Sequence, residues 1–147
     1  MKVKLRKFNI IDGLRMMKLK FNPKTSIELE KSIWGYIRFE IEKILKRKSQ
    51  YKFAILVDNK FAGSIGAFKY NHHDEIGYYI LPKYRKKGVA TIAVRQILKK
   101  IPKDLGIKTI RASPNKSNLA SIKVLKNNKF KLIKTNKKNL MFEKSLR

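Results

Sequence analysis

The segment from Tyr79 to Leu98 reads "YILPKYRKKGVATIAVRQIL" and is the most informative part of the sequence about the fold. It begins as an apolar strand, passes through Pro82 and a cluster of cations, and turns at Gly88 into a helical pattern. A strand that leads through a tight turn into a helix is a βα unit, and ligands of layered sheets tend to bind at the carboxyl ends of the strands. The stretch therefore predicts a layered α/β or α+β sheet with a ligand at this turn.

The turn itself has the composition of an anion site. The first N–H groups of a helix have no acceptor within the helix and together carry about half a positive charge. Gly88 and Ala90 keep side chains small where an anion would approach the backbone, and Arg85, Lys86 and Lys87 add positive charge. Neither the Walker spacing nor a GxGxxG pattern is present. A pyrophosphate fits this design, and a solvated basic loop that begins a surface helix is the alternative.

The rest of the chain alternates strand and helix patterns in the order β, α, α, β, β, β, α, β, α, β, β, with no repeat or linker. We therefore expect one domain over residues 1–147. Trp34 lies on the apolar stripe of the second helix, which favours a core or groove-lining role. The predicted strands are 2–8, 51–58, 61–70, 74–81, 108–113, 130–135 and 139–144, with a turn at Asn59-Lys60 and another at 71–74, and the predicted helices are 11–20, one capped by Thr25 or Ser26, 88–100 and 117–127.

The charge balance is extreme, because 37 Lys and Arg face 10 Asp and Glu, a net charge of +27. Such a balance indicates an anionic partner, such as nucleic acid or a phosphorylated molecule, but lysines spread along the whole chain are also what a coding bias produces. The absence of cysteine excludes disulfides and thiolate chemistry. No signal-peptide pattern and no apolar run of roughly 20 residues is present, so we expect a soluble cytoplasmic protein without a membrane partner.

Two motifs at the right separation resemble the GNAT superfamily of N-acetyltransferases. The first is Arg85-Lys-Lys-Gly88-Val-Ala90 after "EIGYYILP", and the second is "NLASIKVL", which begins at Asn118. The residues of these motifs are most similar to those of the branch that acetylates the N-termini of ribosomal proteins. The resemblance implies a mixed, mostly antiparallel sheet of about six to seven strands with about four helices. It also implies transfer of an acetyl group from acetyl-coenzyme A to a primary amine, with no metal.

The resemblance implies a role for particular residues. The turn would bind the pyrophosphate, and a backbone N–H near Ile80 or Leu81 would bind the thioester oxygen. Glu75 is the candidate base, with a carboxylate paired to lysine as the alternative. Ser121 is the candidate proton donor, and Tyr78 or Tyr79 could substitute for it. The full expected coenzyme site is Ile80, Leu81, Arg85, Lys86, Lys87, Gly88, Val89, Ala90, Asn118 and Ser121.

The chain also departs from the family pattern. Leu125 stands where the family usually has a catalytic Tyr, and Lys129 stands where it usually has Gly, so we expect Asn128 to take the left-handed conformation there. His72 and His73 favour a turn rather than a metal site. The acceptor amine, a protein N-terminus or a small molecule, stays open, as does a monomer or a homodimer. A nucleic-acid- or ribosome-associated binding module on a degenerate acetyltransferase fold is the alternative function.

Overall fold

A computed structural model describes residues 1–20, 51–70 and 72–146. The chain divides into two compact units, Met1–Lys7 with Tyr51–Arg147, and Phe8–Gln50. The helix predicted after Thr25 or Ser26, with Trp34, lies outside the described residues. Within the described ranges, no helix is long and apolar enough to span a membrane.

A seven-stranded sheet forms the larger unit, in the order β1-β2-β3-β4-β5-β7-β6. The β4–β5 pair is parallel and the other five pairs are antiparallel, which confirms the predicted mixed, mostly antiparallel sheet. The described residues contain three helices. The strands are β1 (Val3–Lys7), β2 (Tyr51–Val57), β3 (Lys60–Tyr70), β4 (His73–Ile80), β5 (Thr109–Ala112), β6 (Lys131–Thr135) and β7 (Leu140–Ser145), and the helices are α1 (Ile10–Lys20), α2 (Val89–Leu105) and α3 (Leu119–Asn127).

The start of α1 in the smaller unit is fixed by a reciprocal cap. The Asp12 N–H donates to Asn9 Oδ1 and the Asn9 N–H donates to Asp12 Oδ2, each at 3.0 Å. Such a capping box satisfies amide groups that have no acceptor in the first turn. The helix therefore begins at Ile10, one residue before the prediction.

The β2–β3 hairpin turns at Asp58 and Asn59, whose φ angles of 47° and 63° are both left-handed. Two such residues match the twist of a two-residue hairpin. The turn predicted at Asn59-Lys60 is therefore wrong by one residue, since Lys60 already begins β3. The next turn is also shorter than predicted, because β4 begins at His73.

The core of the larger unit lies between one face of the sheet and α2. Val89, Ala93, Ile97 and Ile101 recur every four residues along α2 and are fully buried, which places them on one face of the helix. They pack with sheet residues such as Ile65, Ile76, Ile110 and Phe142. This packing holds the N-terminus of α2 directly after the end of β4.

The end of α2 and the conformation of the residues after α3 differ from the prediction. α2 continues past Lys100 to Leu105 and closes at Gly106, whose φ is 66° and whose N–H donates to Pro102 O at 3.1 Å. After α3, Lys129 takes the left-handed conformation, with φ of 62°, so the expectation for Asn128 is wrong. Asn128 is instead buried, and its Nδ2 donates to Val124 O at 2.9 Å.

Candidate active site

Strand β4 outruns its parallel neighbour at the carboxyl end. The register places Glu75 opposite Arg111, and β5 ends one residue later at Ala112, whereas β4 continues to Ile80. The last residues of β4 therefore lie beyond the end of β5 on that side. Backbone groups there are directed toward a gap rather than toward a neighbouring strand.

The hydrogen bonds to β3 decide which amides face this gap. The Leu81 N–H donates to Ala62 O at 2.8 Å, and amide directions alternate along an antiparallel strand. The N–H groups of Tyr78 and Ile80 therefore point to the β5 side. Of the two amides predicted for a thioester oxygen, that of Leu81 is already engaged, which corrects that expectation, and that of Ile80 has the required direction.

The turn after β4 leads into α2 and leaves space beside the N-cap residue of this helix. A short 3-10 turn over Pro82–Tyr84 leads to Lys86 and Gly88, whose φ angles of 58° and 75° are left-handed. Gly88 is the N-cap residue and has no side chain with which to cap the helix. Among the described residues, a Cβ built at Gly88 would meet no heavy atom within 4 Å. The position therefore has room for a ligand against the backbone.

The first intrahelical bond of α2 runs from the Ile92 N–H to Gly88 O at 3.1 Å. The N–H groups of Val89, Ala90 and Thr91 precede that bond and so have no acceptor in the helix. Together with the positive end of a 17-residue helix, they form a site of the kind that binds phosphate. The backbone at this helix end therefore has the geometry that the predicted anion site requires.

The Arg85 side chain contacts the end of β4. Its Nε donates to Ile80 O at 2.9 Å, and its Cζ lies 5.4 Å from the centroid of the Tyr79 ring. A cation held above an aromatic face gains electrostatic stabilisation. Arg85 therefore fixes the end of β4 as well as bringing charge to the turn.

The N-terminus of α3 is capped by Asn118. Its Oδ1 accepts from the Ser121 N–H at 3.1 Å, the usual geometry of an Asn cap. This accounts for the three-residue spacing between Asn118 and Ser121, since the cap bonds the third residue of the helix. The same cap places Ser121 in the first turn, on the side that faces β4.

Tyr78 joins β4 to α3. Its hydroxyl donates to Ser121 O at 3.4 Å. Burial raises the pKa of the Tyr78 phenol, and an interaction with the Ser121 side chain lowers it by a smaller amount. The phenol is thus held in its protonated form beside Ser121. Leu125, at the position of the family's usual Tyr, is 1% exposed and belongs to the core.

A cleft of about 920 Å³ runs between the turn after β4 and α3. It has the size of pockets that bind small molecules and cofactors. All of the expected coenzyme residues line it except Leu81 and Lys87, and Tyr79 lines it as well. The prediction missed seven further lining residues, and a helical face extended from Ser121 at three-residue spacing would have found two of them, Val124 and Asn127. The seven are Tyr84, Thr91, Leu119, Ala120, Lys123, Val124 and Asn127.

Glu75 lies outside the lining of this cleft, on the β4 face that also carries His73. Its Oε1 is 2.9 Å from His73 Nε2 and accepts from Ser113 Oγ at 3.1 Å. Among the described residues, Glu75 pairs with His73 and Ser113 and not with a lysine, which was the alternative. Among the described residues, no group of three or more His, Cys, Asp or Glu side chains could hold a metal ion.

The chain belongs to the acetyltransferase (GNAT) domain family, whose family model matches residues 14–131. This membership confirms the predicted enzyme class, an acyltransferase, and the predicted co-substrate, acetyl-coenzyme A. A search among curated proteins found no match.

Several solved structures have the same fold. The N-acetyltransferase PseH of Campylobacter jejuni, solved with acetyl-coenzyme A, has a TM-score of 0.73 at 22% identity over 99% of this chain and 100% of its own. Mycobacterium smegmatis RimJ, in complex with CoA-disulfide, reaches 0.75 at 18% identity over 97% and 81%. The spermidine/spermine N-acetyltransferase SpeG of Vibrio cholerae, in mutant forms, reaches 0.72 at 14% over 99% and 95%. At these identities the similarity shows the fold.

Proposed function

We propose that residues 1–147 work as one N-acetyltransferase domain that moves an acetyl group from acetyl-coenzyme A to a primary amine by direct attack. The observation that carries this proposal is the glycine-opened N-terminus of α2 beside a strand that continues past its neighbour. The family match supports a single domain because it takes in parts of both compact units.

In this proposal the turn after β4 holds the pyrophosphate of the coenzyme. The N–H groups of Val89, Ala90 and Thr91 donate to its oxygens, Gly88 lets it approach the backbone, and Arg85 and Lys86 add charge at the rim. Charge-assisted bonds from fixed amides are stronger than neutral ones. Lys87 is outside the cleft lining, so its contribution would be long-range attraction.

Acetyl-coenzyme A supplies a thioester whose carbonyl oxygen gains negative charge when the amine attacks. We assign the N–H of Ile80 to that oxygen, because this amide faces the gap beyond β5. A donor that is already in position lowers the barrier without reorganisation. Arg85 supports it indirectly, since its bond to Ile80 O fixes the next peptide unit.

We assign Glu75 as the base that receives the proton of the amine. Glu75 lies three residues from Tyr78 and five from Ile80, or about 10 and 16 Å between Cα atoms at roughly 3.3 Å per residue. That spacing requires the proton to travel through water. General-base catalysis over a water is within the usual range of such transfers.

The leaving thiolate needs a proton or a hydrogen bond, and Ser121 is our assigned donor. Tyr78 supports this assignment, because its protonated phenol contacts the Ser121 backbone and lines the same cleft. Tyr79 is a weaker substitute, since its ring lies beneath Arg85.

The charge of the chain bears on the acceptor. An α-amino group with a pKa of about 7.7–8.0 is roughly a tenth neutral at pH 7, whereas a lysine at about 10.4 is roughly a thousandth neutral or less. A protein with a net charge of +27 also repels cations. We therefore favour a protein N-terminus, as in the branch the motifs resemble, or an amine on an acidic small molecule, over a polyamine of the kind named for SpeG. Acetyl-coenzyme A is an intracellular metabolite, which supports a cytoplasmic location.

The test combines binding with turnover. Acetyl-coenzyme A is expected to raise the melting temperature, and a panel of peptides with a free α-amine, acidic amines and polyamines identifies the acceptor by thiol release. The chain contains no cysteine, so a thiol reagent detects the released coenzyme alone. Stabilisation by a short RNA but not by the coenzyme, with no thiol release, would replace this proposal with the nucleic-acid-binding alternative.

A further inference from the structure

Three side chains that lie outside the lining of the coenzyme cleft meet on one face of the β4–β5 pair. His73 and Glu75 are two residues apart on β4, so their side chains share a face, and Ser113 directly follows β5. His73 Nε2 lies 2.9 Å and Ser113 Oγ 3.1 Å from the same atom, Glu75 Oε1. The His73 and Glu75 side chains are 20% and 12% exposed. The cluster is therefore a partly buried carboxylate held from two sides.

The nearby charged groups have partners of their own. Arg111, opposite Glu75 in the register, bonds Glu143 Oε2 through Nε at 2.7 Å. Asp74 points to the opposite face of the strand and pairs with Lys69 at 3.5 Å. Within the described ranges, Glu75 is thus held by His73 and Ser113 and not by a lysine or an arginine.

The two donors determine which carboxylate oxygen of Glu75 stays available. His73 Nε2 donates when it carries the proton, and the serine hydroxyl donates to the carboxylate as well. Both bonds fall on Oε1, so they fix the carboxylate rotamer and leave Oε2 as the oxygen that can accept another proton or a water. A strong Arg or Lys pair would instead make the carboxylate a poorer base.

We propose that His73 and Ser113 are positioning residues that aim Oε2 of Glu75 at the water that carries the proton of the amine. This inference rests on the proposed function, in which Glu75 is the base. Neither residue touches the coenzyme cleft, so their loss acts on the chemical step and not on binding of the coenzyme.

The test compares kcat and KM by thiol release with acetyl-coenzyme A and the fastest acceptor of the panel. We expect Glu75→Gln to lower kcat about a hundredfold, within the usual range for a base. His73→Leu and Ser113→Ala are expected to lower kcat severalfold and leave the KM for acetyl-coenzyme A unchanged. Ser113→Thr and His73→Gln, which keep a donor, are expected to recover most of the loss. His72→Leu, at the exposed neighbouring position, is the matched control and keeps wild-type kcat.

A double-mutant cycle separates positioning from a general loss of stability. If His73 and Ser113 act through Glu75, adding either substitution to Glu75→Gln lowers kcat no further. A further loss in that background, or a wild-type kcat in Ser113→Ala and His73→Leu, would overturn the inference while wild-type turnover keeps the proposed function intact. If the wild-type protein releases no thiol with any acceptor, the proposed function fails and this inference falls with it.

Discussion

Gly88 and Gly106 form a natural matched pair for testing the anion site. They flank α2 at its two ends, with left-handed φ angles of 75° and 66°. A Cβ at either position would meet no described heavy atom within 4 Å. Substituting each with Glu therefore imposes a similar backbone strain of about 1–2 kcal/mol. Only the first glycine, however, stands at the proposed pyrophosphate site.

The expected effects on binding differ by orders of magnitude. A carboxylate about 4 Å from one phosphate charge costs about 4 kcal/mol at an effective dielectric constant near 20. That cost raises Kd by about a thousandfold. The charge introduced at Gly106 lies about 27 Å away, at roughly 1.5 Å per residue along the helix, well beyond a Debye length of about 8 Å. Gly106→Glu should therefore bind acetyl-coenzyme A as the wild type does.

Isothermal titration with acetyl-coenzyme A measures the affinity of each variant, and thermal unfolding measures its stability. A carboxylate stabilises a helix when it lies near the N-terminus and destabilises the helix when it lies near the C-terminus. We therefore expect Gly106→Glu to lower the stability of the protein at least as much as Gly88→Glu does. Loss of binding in the Gly88 variant thus cannot come from unfolding. Wild-type affinity in Gly88→Glu, or an equal loss in both variants, would show that the coenzyme does not use this helix end.

Three more outcomes are expected. Gly63→Ala would place a Cβ against the carbonyl oxygen of Tyr79, so we expect the free energy of unfolding in urea to fall by about 1–3 kcal/mol and kcat to fall as well. Gly66→Ala would place its Cβ against β2 instead, so we expect lower stability with an unchanged kcat. Because burial raises the pKa of Tyr78, its contribution to stability is full below the ordinary value of 10.0 and is lost as pH rises above it. The unfolding free energy should therefore fall less steeply at alkaline pH in Tyr78→Phe, and equal slopes would contradict the burial of the phenol. Ser121→Ala should lower kcat and keep the affinity for acetyl-coenzyme A, and an unchanged kcat would remove Ser121 from the mechanism.

Local sequence patterns predicted most of the helices and strands. The residues at which these elements end depend on individual contacts that a sequence pattern does not reveal. The βα unit and the amphipathic stripe of α2 follow from residue spacing alone. The end of α2 was predicted too early, because the helix accepts Pro102 in its last turn and closes at Gly106. The left-handed residue after α3 is Lys129, since Asn128 uses its side chain for Val124 O and is buried.

The proposed anion site could be predicted from consecutive residues, because unpaired amides and a small residue at a helix N-terminus are local properties of the chain. The groups that surround the proposed reaction site could be identified only from how the chain folds. Strand register engaged the amide of Leu81 with Ala62. It also brought Ser113 to Glu75 across 38 residues and Tyr78 to Ser121 across 43. Contacts between residues so far apart depend on how strands pair and how helices pack on them, and no short pattern encodes that.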